Sequence, residues 1–138
     1  MTTREASQSA KRVRVLLVDD HEAMLARAAE ELKDSCTIVG TATNGPAAIA
    51  AANALKPDVI VLDISMPGMT GLEVAAVLRD AGSTAAILFL TMHEEEEFMA
   101  VARDVGGLGY VFKPCLSADL AIAVRETSAG RPFVSSRS

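Results

Sequence analysis

The chain has few of the residues that mark secreted, membrane-spanning or nucleic-acid-binding proteins. Its 138 residues include two cysteines, no tryptophan and one tyrosine, and the formal net charge is −5. Cys36 and Cys115 form no C-x-x-C pair and fit a reducing cytoplasm. No uncharged apolar run reaches the roughly 18 residues that a membrane span needs. The absence of a basic cluster argues against nucleic-acid binding by this segment.

The length fits one domain with a short segment at either end. Residues 1–11 are polar and small, lack the apolar stretch of a secretory signal, and are predicted to be a disordered leader. Residues 12–130 carry a regular pattern and are predicted to be the folded domain. Residues 131–138 are predicted to be a tail or the start of a linker to a further domain. A chain cut from a longer protein is favoured over a stand-alone domain.

Five apolar runs alternate with five amphipathic stretches, which is typical of an α/β domain with a parallel sheet. The runs are nearly continuous in Val, Ile and Leu, as expected for strands covered by helices on both faces. Right-handed crossovers between such strands make a doubly wound open sheet, in which ligands bind beyond the carboxyl ends of the strands. The predicted strands are 13–18, 37–42, 58–62, 86–91 and 108–112.

Three of the intervening helices carry recognisable starting signals. Asn44 precedes Gly45-Pro46, which predicts an N-cap with proline in the first turn. Thr70 and Glu73 have the spacing of a capping box. Ser117 is predicted to cap the last helix.

Charged or hydroxyl side chains stand where four of the five apolar runs end. These are Asp19 and Asp20, Asp63, Thr91, and Lys113. Because carboxyl ends of parallel strands share one edge of a sheet, we expect these side chains to lie in a single pocket. The two adjacent aspartates alone could act only as helix caps, but their register with the other three favours the pocket.

Carboxylates that share one pocket either have a raised pKa or recruit a cation. Two such charges about 5 Å apart repel by roughly 3 kcal/mol at an effective dielectric constant of 20. An all-oxygen ligand set suits Mg²⁺, and Lys113 adds a positive charge suited to a phosphoryl group. Thr91 adds a hydroxyl donor. Asp63, which ends the most central strand and precedes a Pro67-Gly68 loop, is predicted to be the nucleophile that becomes an aspartyl phosphate.

The ordered motifs resemble those of bacterial response-regulator receiver domains. They are Asp19-Asp20, the string Leu62-Asp63-Ile64-Ser65-Met66-Pro67-Gly68-Met69-Thr70-Gly71, Thr91, and Tyr110-Val111-Phe112-Lys113-Pro114. Two further strings resemble the subfamily with a LuxR-type helix-turn-helix output domain. They are Leu90-Thr91-Met92-His93 and Gly130-Arg131-Pro132-Phe133-Val134-Ser135.

The resemblance implies a five-stranded sheet of order 2-1-3-4-5 with five helices, and a metal-dependent phosphorylation site. Asp63 would accept a phosphoryl group from a sensor histidine kinase. Mg²⁺ would be coordinated by Asp20 directly, by Asp19 mainly through water, by Asp63, and by the backbone carbonyl of Ser65.

The resemblance to receiver domains further implies that Lys113 and Thr91 bind phosphoryl oxygens and that Tyr110 turns inward when Thr91 moves. The Lys113–Pro114 peptide is expected to be cis. His93 is expected either to tune the lifetime of the phosphoryl group or to be an exposed imidazole without a role. Ile122, on the polar face of the last helix, is a candidate contact in a homodimer formed on phosphorylation.

These expectations describe a cytoplasmic, phosphorylation-operated switch that controls an output, transcription through a DNA-binding domain absent from this chain. It would modify only itself and would not turn over outside substrates. One alternative is a haloacid-dehalogenase-like Mg²⁺ phosphatase, but that class needs an aspartate where this chain has Ser65. The other is a binding module that works without phosphorylation.

Overall fold

The structure, a computed structural model, describes residues 12–136, so the predicted leader at 1–11 lies outside the described residues. Strands and helices alternate along the chain, with one short 3-10 turn at Lys113–Cys115. The strands are β1 (Val13–Val18), β2 (Cys36–Ala42), β3 (Val59–Leu62), β4 (Ala86–Thr91), β5 (Gly107–Phe112) and β6 (Phe133–Val134). The helices are α1 (Glu22–Leu32), α2 (Gly45–Leu55), α3 (Gly71–Asp80), α4 (Glu96–Asp104) and α5 (Leu116–Ser128).

The strands form one parallel sheet in the order β2-β1-β3-β4-β5-β6. The α/β class, the five helices and the order of the first five strands are confirmed. The predicted number of strands is wrong by one, because β6 pairs with the outer edge of β5 through Gly109–Phe133 and Tyr110–Val134. A two-residue strand just after Gly130 and Pro132 is too short to show a periodic pattern, so only tertiary pairing reveals it.

The sheet is buried on both faces because alternate side chains of each central strand enter different cores. In β1 and β3, Leu16, Val18, Ile60 and Leu62 pack into one core. Val15, Leu17, Val59 and Val61 pack into the other. All four residues of β3 are buried, which makes this strand a rigid support for Asp63, the residue directly after it.

The capping predictions hold for two helices and fail for the third. The Asn44 side chain accepts a hydrogen bond from Ala47 N at 2.8 Å, and Thr70 and Glu73 form both bonds of a capping box. Helix α5 instead begins at Leu116, with Cys115 at the N-cap position, so Ser117 lies inside the helix. The 3-10 turn that holds Pro114 runs directly into α5, and a separate hydroxyl cap is unnecessary.

The expected cis bond between Lys113 and Pro114 is absent, since no peptide bond among the described residues is cis. Pro114 occupies the first turn of the 3-10 helix, where its fixed φ suits a trans, helical chain. None of the helices within residues 12–136 combines the length and the apolarity required to cross a bilayer.

Candidate functional site

Two adjacent strand ends hold the predicted nucleophile and the first aspartate in fixed positions. Val18 of β1 is paired with Leu62 of β3, and each strand is followed by an aspartate. Asp63 N donates to Val18 O at 3.0 Å, and Asp19 N donates to Ala42 O at 3.1 Å. The backbone N–H of each aspartate is therefore still hydrogen-bonded to the sheet, and its carboxylate lies just beyond the end of the strand.

Lys113 reaches the same point from the end of β5. Its Nζ lies 2.9 Å from Asp19 Oδ2 and 3.4 Å from Asp63 Oδ2. All three residues are buried, with exposed fractions of 3% for each aspartate and 8% for the lysine. We call Asp19, Asp20, Asp63 and Lys113 the acidic pocket. It unites four of the residues that the sequence predicted.

A glycine allows the next helix to approach the nucleophile. Gly71 is the first residue of α3, and its N–H donates to Ile64 O at 2.8 Å. A Cβ on Gly71 would overlap the carbonyl oxygen of Asp63. Any larger residue would therefore push α3 away or displace the backbone that carries the Asp63 carboxylate.

Burial and charge perturb the ionisable groups of the acidic pocket. Burial and the charge of Asp19 raise the pKa of Asp63, although Lys113 and the Ser65 N–H act in the opposite direction. Burial by itself would lower the pKa of Lys113, but Asp19 and Asp63 outweigh it and the pKa is raised. The pocket therefore contains more negative charge than one ammonium can balance, which favours a further cation.

The ligand set fits a divalent cation. One ligand atom from each of Asp19, Asp20, His21 and Asp63 lies within 4.8 Å of the others. Asp20 Oδ1 is buried and forms no hydrogen bond of good geometry among the described residues, although His21 Nδ1 lies 3.3 Å away, and such an oxygen is suited to a metal. His21 was missed as a possible ligand, although its position directly after Asp20 was a visible signal.

A second group of residues connects the loop after β3 with the loop after β4. Ser65 Oγ and His93 Nε2 are 2.6 Å apart, and the Tyr110 hydroxyl donates to the His93 carbonyl at 3.0 Å. We call Ser65, His93 and Tyr110 the switch bridge. Ser65 also donates its backbone N–H to Asp63 Oδ1 at 3.3 Å, which joins the bridge to the acidic pocket.

Thr91 contacts the switch bridge. The residue is fully buried at the end of β4, and its Oγ1 accepts a hydrogen bond from His93 N at 3.2 Å. The imidazole of His93 is stacked on Phe98 with ring centroids 4.0 Å apart. Sequence reasoning named Ser65, Thr91, His93 and Tyr110 separately, but it could not find the contacts between positions 28 and 17 residues apart.

Comparison with known proteins agrees with this architecture. The sequence profile of the response regulator receiver domain matches residues 15–125. The positive alginate biosynthesis regulatory protein of Pseudomonas aeruginosa is 40% identical over 117 residues, which cover 83% of this chain and 46% of that protein. The nitrate/nitrite response regulator protein NarL of Escherichia coli is 36% identical over 124 residues, covering 88% of this chain and 57% of that protein. The chain thus spans about half the length of these curated relatives.

Solved structures agree as well. The signal receiver domain of the putative response regulator NarL from Mycobacterium tuberculosis is 33% identical, with a TM-score of 0.84 over 87% of this chain and 98% of that one. A LuxR-family two-component response regulator from Aurantimonas sp. is 30% identical, with a TM-score of 0.85 over 89% of each chain. Since the profile covers most of the sequence and the fold agrees, the chain belongs to the response regulator receiver domain family.

Proposed function

We propose that this receiver domain is a switch operated by phosphorylation of Asp63, with a sensor histidine kinase as donor and Mg²⁺ as cofactor. The observation that carries the proposal is the placement of the Lys113 ammonium against two buried carboxylates, 2.9 Å from Asp19 and 3.4 Å from Asp63. A buried cation beside a buried nucleophile is the arrangement that phosphoryl transfer requires.

In the proposed reaction, a carboxylate oxygen of Asp63 forms a bond to phosphorus. The phosphorus–nitrogen bond of the donor phosphohistidine breaks, and its electron pair stays with the leaving imidazole. Lys113 already pairs with Asp63. As Asp63 loses its negative charge on forming the aspartyl phosphate, the Lys113 ammonium would pair with a phosphoryl oxygen instead.

Asp20, Asp19, Asp63 and the Ser65 carbonyl would hold the Mg²⁺, with Asp19 acting mainly through water. Bound there, the ion would neutralise charge on the transferred group. Asp19 has a second task in this proposal, because its Oδ2 keeps Lys113 in the pocket.

Phosphorylation would act on the switch bridge through Thr91. The modification adds up to about two negative charges, which attract the Thr91 hydroxyl. That hydroxyl accepts a hydrogen bond from His93 N, and the His93 carbonyl accepts one from Tyr110. A shift of Thr91 toward the phosphoryl group would therefore disturb both bonds and bias the orientation of Tyr110.

The output is proposed from the relatives. The relatives include a nitrate/nitrite response regulator, a regulator of alginate biosynthesis and a LuxR-family response regulator. This chain spans about half the length of the first two proteins. We propose that the domain acts in the cytoplasm and controls transcription through a DNA-binding domain outside this sequence, not by contacting nucleic acid itself. The domain would catalyse only its own phosphorylation and dephosphorylation.

The test is incubation with Mg²⁺ and acetyl phosphate, followed by intact mass measurement. We expect the stable gain of one phosphoryl group, its loss in Asp63→Asn, and its retention in the control Asp80→Asn, whose carboxylate is at the surface. Continuous release of phosphate would indicate the phosphatase alternative. No modification of the wild-type protein would indicate a binding module.

The lifetime of the phosphoryl group is proposed to depend on His93. The support is its hydrogen bond to Ser65, which in turn contacts Asp63. We expect His93→Ala to change the rate at which the phosphorylated mass disappears. An unchanged rate would exclude this role.

A homodimer of the phosphorylated form is proposed through Ile122. Its neighbours Leu120, Ala123 and Val124 are fully buried, whereas Ile122 is 42% exposed on the outer face of α5. Sedimentation of the phosphorylated protein should show a dimer that Ile122→Glu weakens. Equal sedimentation of the two proteins would exclude this contact.

A further inference from the structure

We propose that His21 gives the acidic pocket a nitrogen ligand, which strengthens the binding of divalent transition metals such as Mn²⁺ and Zn²⁺ more than the binding of Mg²⁺. The inference rests on the metal site of the proposed function and adds to it the class of metal. It concerns a residue that the all-oxygen ligand set leaves out.

The imidazole lies where a fourth ligand to a common ion would lie. His21 Nδ1 is 3.3 Å from Asp19 Oδ1 and 3.3 Å from Asp20 Oδ1. The ligand atoms of these residues and Asp63 are all within 4.8 Å of one another. Ligands on opposite sides of an ion with bonds of about 2.1 Å are roughly 4.2 Å apart, so only small shifts are needed to enclose one.

The backbone of His21 is fixed even though its ring is free to turn. Its N–H donates to Asp19 Oδ1 at 2.9 Å, and its carbonyl accepts bonds from Met24 N and Leu25 N at the start of α1. The side chain is 71% exposed, and its polar contacts within residues 12–136 are the two aspartates. The ring can therefore rotate toward an ion without breaking packing in the core.

The charges in the pocket also suit a neutral nitrogen ligand. Three carboxylates face one ammonium, and Asp20 Oδ1 forms no hydrogen bond of good geometry among the described residues, with His21 Nδ1 3.3 Å away. A divalent ion offsets this excess of negative charge, and a neutral imidazole completes the ligand set without adding to it. Imidazole favours transition metals, whose affinity rises along the first row, whereas Mg²⁺ prefers oxygen ligands and retained water.

The experiment compares metal affinities of the untagged wild-type protein and His21→Asn. Asparagine is a favoured N-cap residue, so α1 should keep its start while the imidazole is lost. Free Mn²⁺ is followed by electron paramagnetic resonance, Zn²⁺ by calorimetry, and Mg²⁺ by competition against Mn²⁺. Glu22→Gln is the matched control, because it removes a neighbouring charge and keeps the imidazole.

We expect His21→Asn to weaken Mn²⁺ and Zn²⁺ binding about tenfold, the scale of a lost metal-site interaction, while the Mg²⁺ affinity changes less than about twofold. Equal weakening for all three metals would overturn the proposal, because it would indicate a general electrostatic effect. So would an unchanged Mn²⁺ affinity.

A spectroscopic measurement tests the nitrogen ligand itself. Pulsed electron paramagnetic resonance of bound Mn²⁺ should detect an imidazole nitrogen in the wild type and lose it in His21→Asn. The chain has only two histidines, so a signal that persists would indicate His93 and overturn the assignment. If wild type and Asp20→Asn both fail to bind any divalent ion, the proposed metal site itself fails. That outcome is distinct from loss of selectivity alone.

Discussion

The acidic pocket and the switch bridge lie at the same end of the sheet, but different forces hold them. In the acidic pocket, buried charges are drawn together around Lys113, and Asp20 Oδ1 forms no hydrogen bond among the described residues. In the switch bridge, a serine hydroxyl, an imidazole, a backbone carbonyl and a phenol are joined by hydrogen bonds of 2.6 and 3.0 Å. The residues of the pocket carry more negative than positive charge, whereas the residues of the bridge are hydrogen-bonded to one another.

This difference matches the two tasks of a switch. A buried group of charges with excess negative charge responds strongly to a metal or a phosphoryl group, because each changes a large electrostatic energy. A typical intramolecular hydrogen bond contributes only about 0.5–1.5 kcal/mol, so the bridge can rearrange when the pocket changes. Ser65 connects the two through its N–H on Asp63 and its hydroxyl on His93.

The largest expected effect is on stability when Lys113 is removed. Lys113→Met leaves two buried carboxylates without their ammonium and should lower the free energy of unfolding by about 3–5 kcal/mol. Adding a divalent cation should restore part of the loss, because the cation binds the folded state. Urea unfolding with and without Mn²⁺ measures both effects.

The control for this prediction is Lys33→Met, which removes an ammonium paired with Glu30 at the surface. It should leave the unfolding midpoint unchanged, because exposed ion pairs contribute little. If Lys113→Met is as stable as the control without metal, the pocket is not held by charge and the comparison with the bridge fails.

The next prediction concerns Tyr110, the single tyrosine of a chain without tryptophan. Burial, with a smaller contribution from Glu95, raises its pKa to about 12. The folded state holds the tyrosine proton more tightly than the unfolded state. The contribution of Tyr110 to the free energy of unfolding is therefore complete below pH 10 and is lost as the pH rises through 12. Ultraviolet absorbance of the tyrosinate follows this titration without interference.

In urea, the same tyrosine should titrate near its ordinary pKa of about 10. Glu95→Gln should lower the folded pKa slightly, because one nearby negative charge is lost, whereas Glu97→Gln should have less effect. A folded protein that titrates like the unfolded one would mean that Tyr110 is not enclosed, which would contradict the described bridge.

Asp63→Asn should have a smaller effect, in the stabilising direction. The pKa of Asp63 is raised by burial and by Asp19. Its carboxyl group therefore ionises less readily in the folded state than in the unfolded state, and the free energy of unfolding decreases as the pH rises through the folded pKa. Removing this charge should raise the melting temperature of the metal-free protein at pH 7 by a few degrees. Asp80→Asn, at the surface, should not. A lower melting temperature for Asp63→Asn would contradict the excess of negative charge.

The smallest effect is expected for Ser65→Ala, which removes one side chain from the bridge. The loss should be at most about 1 kcal/mol, because the Ser65–His93 hydrogen bond is partly open to water. Mn²⁺ affinity should change less than about twofold, but the fluorescence of Tyr110 should shift as His93 loosens. Ser128→Ala is the control, because the Ser128 hydroxyl donates to Arg125 O within α5. A large loss of metal affinity would show that pocket and bridge are one unit.

Much of the site could be predicted from the pattern of strand ends. Asp19, Asp63 and Lys113 were expected to meet because apolar runs of parallel strands end at one edge of the sheet, and the structure brings these three into contact. The contact of Ser65 with His93 could not be predicted. It depends on the path of two loops, and loop paths carry no periodic signal.

The residue pattern alone determined the layered α/β fold and the edge at which charged residues collect, whereas the order of the first five strands followed from the resemblance to receiver domains. The pattern could do so because buried strands read as apolar runs and helices repeat their apolar face every three to four residues. Only the tertiary structure decided the features that depend on a neighbour distant in sequence or on local backbone geometry. These features are the pairing of β6 with β5, the trans Lys113–Pro114 bond, and the approach of His21 to Asp19 and Asp20. A short strand, a peptide isomer and a side-chain direction each depend on contacts that no run of residues records.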